Sequence, residues 1–336
     1  MPRRLGPLLL ALGAAACNRT TEPTFTLPNV TATPPPDADL LVVSDGLGPE
    51  PGTEVFRDVY ALRSSDGAGV TLLSACRFLG QRCDTEEADL SPDSTRLSAR
   101  RYTDSAAPDA AGITLVELRE SLEGLVIAPT QRVSGIDYSP RGELVVYSAL
   151  GEGALEDLWV MLPNGSDNRN LTVSDDVHER RPRIDPSGSV AAFDRAAPEG
   201  KSEIWIFTSR IDQVRVTSGG PAGATLPGSD AVVGSDRDPA YAPDGQRLVF
   251  RRLAAPGDGR GDWEILTVRT DGSELTTLVS GPGFRGAPDW GAGGIVFAES
   301  DATGSRIVVV AADGSGRRSV LSLAPSLELA HPRWIP

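Results

Sequence analysis

The chain has 336 residues, enough for one large domain or two average ones, and its 40% hydrophobic content suits a globular core. Its 36 glycines and 27 prolines predict many tight turns and favour β structure over helices. A formal charge of −14, with no basic stripe interleaved with aromatics, argues against a nucleic-acid partner, and a single lysine, Lys201, leaves almost no candidate for Schiff-base chemistry.

Arg3 and Arg4 lead into an apolar stretch, Leu5 to Ala16, that ends in Ala14-Ala15-Ala16-Cys17. These are the charged, apolar and small-residue zones of a secretory signal, too short to span a bilayer, so residues 1–16 are read as a leader. Cys17 resembles the lipidated cysteine of a bacterial lipobox, although Ala14 stands where Leu is usual. Residues 17–38, rich in Thr and Pro and including Pro34-Pro35-Pro36, read as the lipidated Cys and an extended tether. Asn18, after the cysteine, resembles the outer-membrane sorting class. Cys76 and Cys83 lie close together in a chain expected to reach an oxidising compartment, so a local disulfide is expected between them, with two free thiols the alternative.

From residue 39 onward one pattern recurs: an aromatic or aliphatic residue, a small residue, Pro, a turn pair, then an alternating β run. It reads Leu90-Ser91-Pro92-Asp93-Ser94, Tyr138-Ser139-Pro140-Arg141-Gly142, Ile184-Asp185-Pro186-Ser187-Gly188 and Tyr241-Ala242-Pro243-Asp244-Gly245. Trp290-Gly291-Ala292-Gly293-Gly294 and Trp334-Ile335-Pro336 are degenerate copies. The intervals between positions 92, 140, 186, 243, 292 and 336 fit four short strands per unit, as propeller blades require. Asn164-Gly165, Asp271-Gly272 and Asp313-Gly314 mark a second hairpin in each unit. The last copy stops where its second strand should begin. The missing strands are found at the other end, at Asp39 to Ser44, Val59 to Arg63 and Val70 to Leu73. The expected fold is therefore all-β: residues 39–336 form a six-bladed β-propeller of four-stranded antiparallel blades, closed by a composite blade from both termini.

The Ser-Pro-Asp-Gly-like turn, the Trp-bearing third strand and the Asp-Gly hairpin resemble the TolB-type, WD40-like (PD40) repeat over residues 39–336. The resemblance implies the fold and an envelope compartment: an exported protein, lipid-anchored to the outer membrane of a Gram-negative bacterium and facing the periplasm. The 17–38 spacer leaves no room for the small α/β domain that precedes the propeller in TolB, so the likeness does not carry TolB's role.

Chemistry is sparse. There is no Gly-x-Ser-x-Gly elbow, and the run Gly257 to Asp262 lacks the Lys-Ser/Thr ending of a phosphate loop. His178 and His331, the only histidines, fall a few residues before a first strand, where a propeller has one mouth of its central channel. Glu86, Glu87, Arg180, Arg181, Arg237 and Asp238 hold comparable places, so they are candidates for a charged cluster converging at that mouth, although a solvated rim of ordinary charges is the favoured reading. Asp236 and Asp238 would suit Ca²⁺, but their spacing completes no calcium loop; no cofactor or metal is assigned. Trp159, Trp205, Trp290 and Trp334 recur at repeat positions and read as packing residues, with Trp263 open to either use. Residues 221–233, the source of the longest repeat interval, are a candidate recognition loop or a plain extended loop. The preferred expectation is a non-enzymatic scaffold, with an envelope protein as partner and the membrane reached through the lipid. The alternative is a channel enzyme or ligand binder of the lactonase or lyase kind, using carboxylates with His178 or His331.

Overall fold

A computed structural model describes residues 25–26, 34, 36–44, 57–74, 77–78, 81–82, 84–102, 112–118, 122–127, 133–151, 155–323 and 328–336; the leader, Cys17, Cys76 and Cys83 lie outside them. The described residues form strands and turns without helices, arranged chiefly as six antiparallel sheets. Blade 1 comprises Asp84–Leu90, Arg96–Tyr102, Gly112–Glu117 and Leu122–Ile127, and blade 2 comprises Val133–Tyr138, Val145–Leu150, Glu156–Met161 and Arg169–Asn170. Blade 3 is His178–Ile184, Ala191–Ala196, Glu203–Ser209 and Asp212–Arg215. Blade 4 is Asp236–Tyr241, Arg247–Ala255, Asp262–Arg269 and Thr276–Val279. In blade 5 the inner strand is split into Phe284–Arg285 and Asp289–Gly291, followed by Gly294–Asp301, Gly304–Val310 and Arg318–Leu323. Blade 6 joins the two ends of the chain: Leu329–Trp334 is its inner strand, and Leu40–Ser44, Asp58–Leu62 and Thr71–Ser74 follow outward. Its register pairs Leu40 with Trp334 and Ser44 with Leu329, closing the ring with backbone hydrogen bonds. Phe25–Thr26 adds a short fifth strand to blade 1, beside Leu122–Ile127.

The continuous apolar run Leu40–Val43 follows from burial on both faces. Side chains alternate across a strand, so Leu41 and Val43 pack with Ala88, Leu97 and Val116 of blade 1, while Leu40 and Val42 pack with Val296, Ile307 and Val309 of blade 5. All four are fully buried, each stabilising the ring by about 1.5–3 kcal/mol. The same sandwiching recurs between blades 3 and 4 and between blades 4 and 5.

The repeated Pro-turn-Gly motif is a stacking device. Gly142, Gly188 and Gly245 all have positive φ, which closes the first hairpin of blades 2, 3 and 4. Each faces the proline ring of the preceding blade's turn, Pro92, Pro140 and Pro186 respectively. The degenerate turn of blade 5 has a different cause: a Cβ on Gly291 or Gly293 would lie 2.4 or 2.3 Å from the Trp334 side chain, so the indole occupies the space those residues leave. Trp334 also donates from Nε1 to the Gly294 carbonyl at 3.0 Å, and Trp159 packs against the blade 2 core.

Candidate functional site at the channel axis and mouth

Both histidines lie within inner strands rather than before them, because each inner strand carries a bulge that the periodicity does not show. Gly135, Arg181, Asp238 and His331 occupy equivalent places in blades 2, 3, 4 and 6, and all have φ between 43° and 66°. A positive φ is uncommon for a residue with a side chain, and in the last three a proline follows at once: Pro182, Pro239 and Pro332. The register shifts at this point in each case. At Gly135 a Cβ would lie 2.2 Å from the Arg181 backbone, so no other residue fits.

Two residues after the bulge position stand Asp89, Asp137, Arg183, Ala240, Asp289 and Arg333, one per blade. Three of the acids stitch neighbouring blades: Tyr138 N donates to Asp89, Ile184 N to Asp137 and Trp334 N to Asp289, at 2.7–2.8 Å. The two arginines reach further. Arg183 of blade 3 binds Asp137 of blade 2 at 3.0 Å and Asp289 of blade 5 at 2.5 Å. Arg333 of blade 6 donates to Glu87 of blade 1 at 3.0 Å, to Asp137 of blade 2 at 3.3 Å and to the Ile136 carbonyl at 3.2 Å. Contacts between non-adjacent blades must cross the axis, so the channel is cross-braced here. Burial pushes Asp137 up to about 6 against the pull of Arg183, and burial followed by repulsion from Asp137 raises Asp89 strongly. A small cavity of about 20 Å³, room for about one water molecule, borders this level, with Arg181, Arg183, Arg333, Glu87 and Asp238 in its wall.

The expected mouth residues are mostly buried and paired, which overturns the reading of a solvated rim. Glu87 accepts from Gly135 N at 2.8 Å besides holding Arg333. Glu86, half-buried, pairs with Arg100. His178 Nδ1 lies 3.2 Å from Glu156 of blade 2, which also holds Arg180. Arg181 grips Asp194 through two hydrogen bonds of 2.6 Å and sits 3.5 Å from Asp238. Asp238 accepts from Arg251 at 2.5 Å; burial alone would raise it, but Arg251, Arg181 and His331 hold it far below the usual carboxylate range. His331 is half-buried on its bulge near Asp238, and no hydrogen bond or ion pair joins it to His178 among the described residues. Asp236, the other residue considered for Ca²⁺, is held by Arg252 at 2.6 and 2.8 Å. Among the described residues no group of three His, Cys, Asp or Glu side chains is placed to hold a metal ion.

The 221–233 connection is not a plain extended loop. It folds as a hairpin, with Thr225 bridged to Val232 and Leu226 N bonded to the Ala231 carbonyl at 2.7 Å. Leu226 and Ala231 are buried against Leu253 and Trp263, which settles Trp263 as a packing residue. Lys201 clamps the base, donating to the carbonyls of Ser218 at 2.6 Å and Gly220 at 3.0 Å. At the tip, Asp230 bridges Arg180 of blade 3 and Arg237 of blade 4, the latter at 2.9 Å. This bridge, missed in the sequence, had one available signal: a lone acid in an inserted loop that lies between two inner-strand arginines, Arg180 before it and Arg237 after it.

Fold and site together define a six-bladed β-propeller with composite closure and an ion-paired axis. The chain is similar to TolB from Acinetobacter baumannii, with a TM-score of 0.64 and 13% identity over 89% of this chain and 67% of that one. It is similar to the TolB assigned in Agrobacterium tumefaciens, with a TM-score of 0.57 and 16% identity over 89% and 99% of the two chains. A chain of the nidogen/laminin complex gives a TM-score of 0.60 at 10% identity, covering 89% and 98%. The propeller is thus of the TolB type in fold. No family profile and no characterised protein matches the sequence itself.

Proposed function

We propose that the chain is an exported, Cys17-lipidated envelope protein whose propeller is a non-enzymatic scaffold that binds another envelope protein at the channel mouth. The observation that carries this reading is the state of the axis: Asp137, Asp289 and Glu87 are committed to Arg183, Arg333 and backbone amides, which leaves recognition to the mouth and its loops. A cross-braced ring is a rigid platform, and rigid scaffolds present recognition loops with little ordering cost. The leader, the lipobox-like Cys17 and the TolB-type fold support a periplasm-facing, outer-membrane location, and Cys76 with Cys83 fits an oxidising compartment. The test is chemical cross-linking in the native envelope followed by pull-down, comparing the natural chain with Cys17→Ala. A specific envelope-protein partner that is lost or weakened in the unlipidated form supports the reading. No specific partner with either form, together with a stoichiometric small molecule or metal on the purified protein, refutes it.

A further inference from the structure

Arg180 and Arg237 present an unusual balance of charge. Their side chains are each 8% exposed, whereas that of the acid bridging them, Asp230, is 52% exposed. Arg180 has a second partner, Glu156, inside the ring, but among the described residues Arg237 has no other acid within ion-pair distance, and its Nε is buried without a hydrogen-bond partner there. Burial and then the neighbouring Arg181 pull Arg237 down to about 10 against the opposing pull of Asp230, so Arg237 stays a buried cation at neutral pH whose one ion-pair partner is an exposed acid. The ring therefore supplies fixed, largely desolvated donors, and the counter-charge comes from the tip of an inserted hairpin. That hairpin buries few side chains, Leu226 and Ala231 chief among them, and is pinned at its base by Lys201.

We propose that Arg180 and Arg237 form a carboxylate-recognition site at the channel mouth, occupied in cis by Asp230, and that an acidic side chain or chain terminus of a protein partner displaces the 221–233 hairpin to bind there. The inference rests on the scaffold reading and names the chemistry of the partner. Lifting the hairpin would withdraw the Asp230 carboxylate from both guanidinium groups and leave them open to a carboxylate from outside the chain. The chain's −14 charge opposes acidic ligands at long range, so affinity must come from short-range, forked hydrogen bonds rather than from steering.

The experiment measures binding of an acetylated glutamate tetrapeptide and, separately, of inorganic sulfate to the full chain by calorimetry at 0.15 M salt. Asp230→Asn removes the in-cis carboxylate and is expected to bind the peptide at least tenfold more tightly than the natural chain. Adding Arg237→Gln to that variant should abolish the gain. Lys201→Met, which loosens the hairpin base without touching either arginine, should raise affinity in the same direction and serves if Asp230→Asn melts below the assay temperature. Equal peptide affinity in the natural chain and the loosened variants overturns the proposal. So does a gain that survives Arg237→Gln, or sulfate binding without peptide binding, which would make the arginines a general anion trap. No cross-linked partner is needed here, so a negative result beside a successful envelope pull-down refutes this site alone.

Discussion

Replacing Arg333 by Met tests whether the axis is a brace or merely filled space. The side chain is 5% exposed and donates to Glu87, Asp137 and the Ile136 carbonyl, tying blade 6 to blades 1 and 2. Met keeps much of the length and apolar stem but takes Arg333 from the buried Glu87 and leaves Asp137 with Arg183 alone. Removing one partner of a buried ion pair costs about 3–5 kcal/mol, a large part of the roughly 5–15 kcal/mol that holds a domain together. At about 2–4 °C per kcal/mol this is a fall in melting temperature of roughly 10 °C. The loss should depend on pH. Below pH 5 Asp137, already pushed up to about 6, holds a proton, so less uncompensated charge remains when the arginine is gone. Thermal and urea unfolding of both forms at pH 5 and pH 8 measures this directly. A loss under about 1 kcal/mol at pH 8, or an equal loss at both pH values, would refute the claim that Arg333 neutralises buried charge across the axis.

Asp137 itself gives the sign of a second effect. Its folded pKa is raised from 3.8 to about 6, so its stabilising contribution is complete below pH 4 and is lost as pH rises through 6. At about 1.4 kcal/mol per unit this is a decline of about 3 kcal/mol, and urea melts of Asp137→Asn between pH 4 and pH 7 should show a flatter profile than the natural chain. Gly135→Ala drives a Cβ to 2.2 Å from the Arg181 backbone at a φ of 66°, and is expected to cost at least about 2 kcal/mol in the same assay. Deleting 329–336 removes the inner strand of blade 6 and bares Leu40–Ser44 as an apolar edge; size-exclusion chromatography should show oligomers where the full chain elutes as one species.

The repeats and the closure were legible in the sequence because each rests on local chemistry. A proline followed by a glycine or serine at positive φ marks every complete first hairpin, and the apolar run from Leu40 to Val43 declares burial on both faces before its partners are known. The inner strands were read too late in the chain because the bulges at Arg181, Asp238 and His331 break the two-residue period just where the histidines stand. The signal was present all the same: Pro182, Pro239, Pro288 and Pro332 each precede the turn position by four residues, and this second periodic proline locates the bulge. The axis contacts had no such signal. Arg183 and Asp289 are 106 residues apart, and Arg333 and Glu87 are 246 apart, so only the closed ring brings them together.

The asymmetry of the ring explains why the mouth hairpin sits where it does. Acids at the axial position stitch the junctions from blade 1 to 2, from 2 to 3 and from 5 to 6 by accepting a backbone N–H of the next blade. At the junction from blade 6 to 1, Arg333 replaces the acid and binds Glu87 instead. At the junction from blade 4 to 5, Ala240 offers no polar group, and Arg251 and Arg285 hold the blades by donating to the Arg285 and Trp263 carbonyls. The remaining junction, from blade 3 to 4, has Arg183 at the axial position, but that side chain is spent on Asp137 and Asp289. What joins these two blades lies nearer the mouth: Arg181 between Asp194 and Asp238, Ser202 donating to the Asp236 carbonyl, and Asp230 spanning Arg180 and Arg237. The insertion thus falls at a junction whose axial stitch is missing, and its single acid both closes that junction and pairs with Arg237, a buried cation with no other ion-pair partner among the described residues.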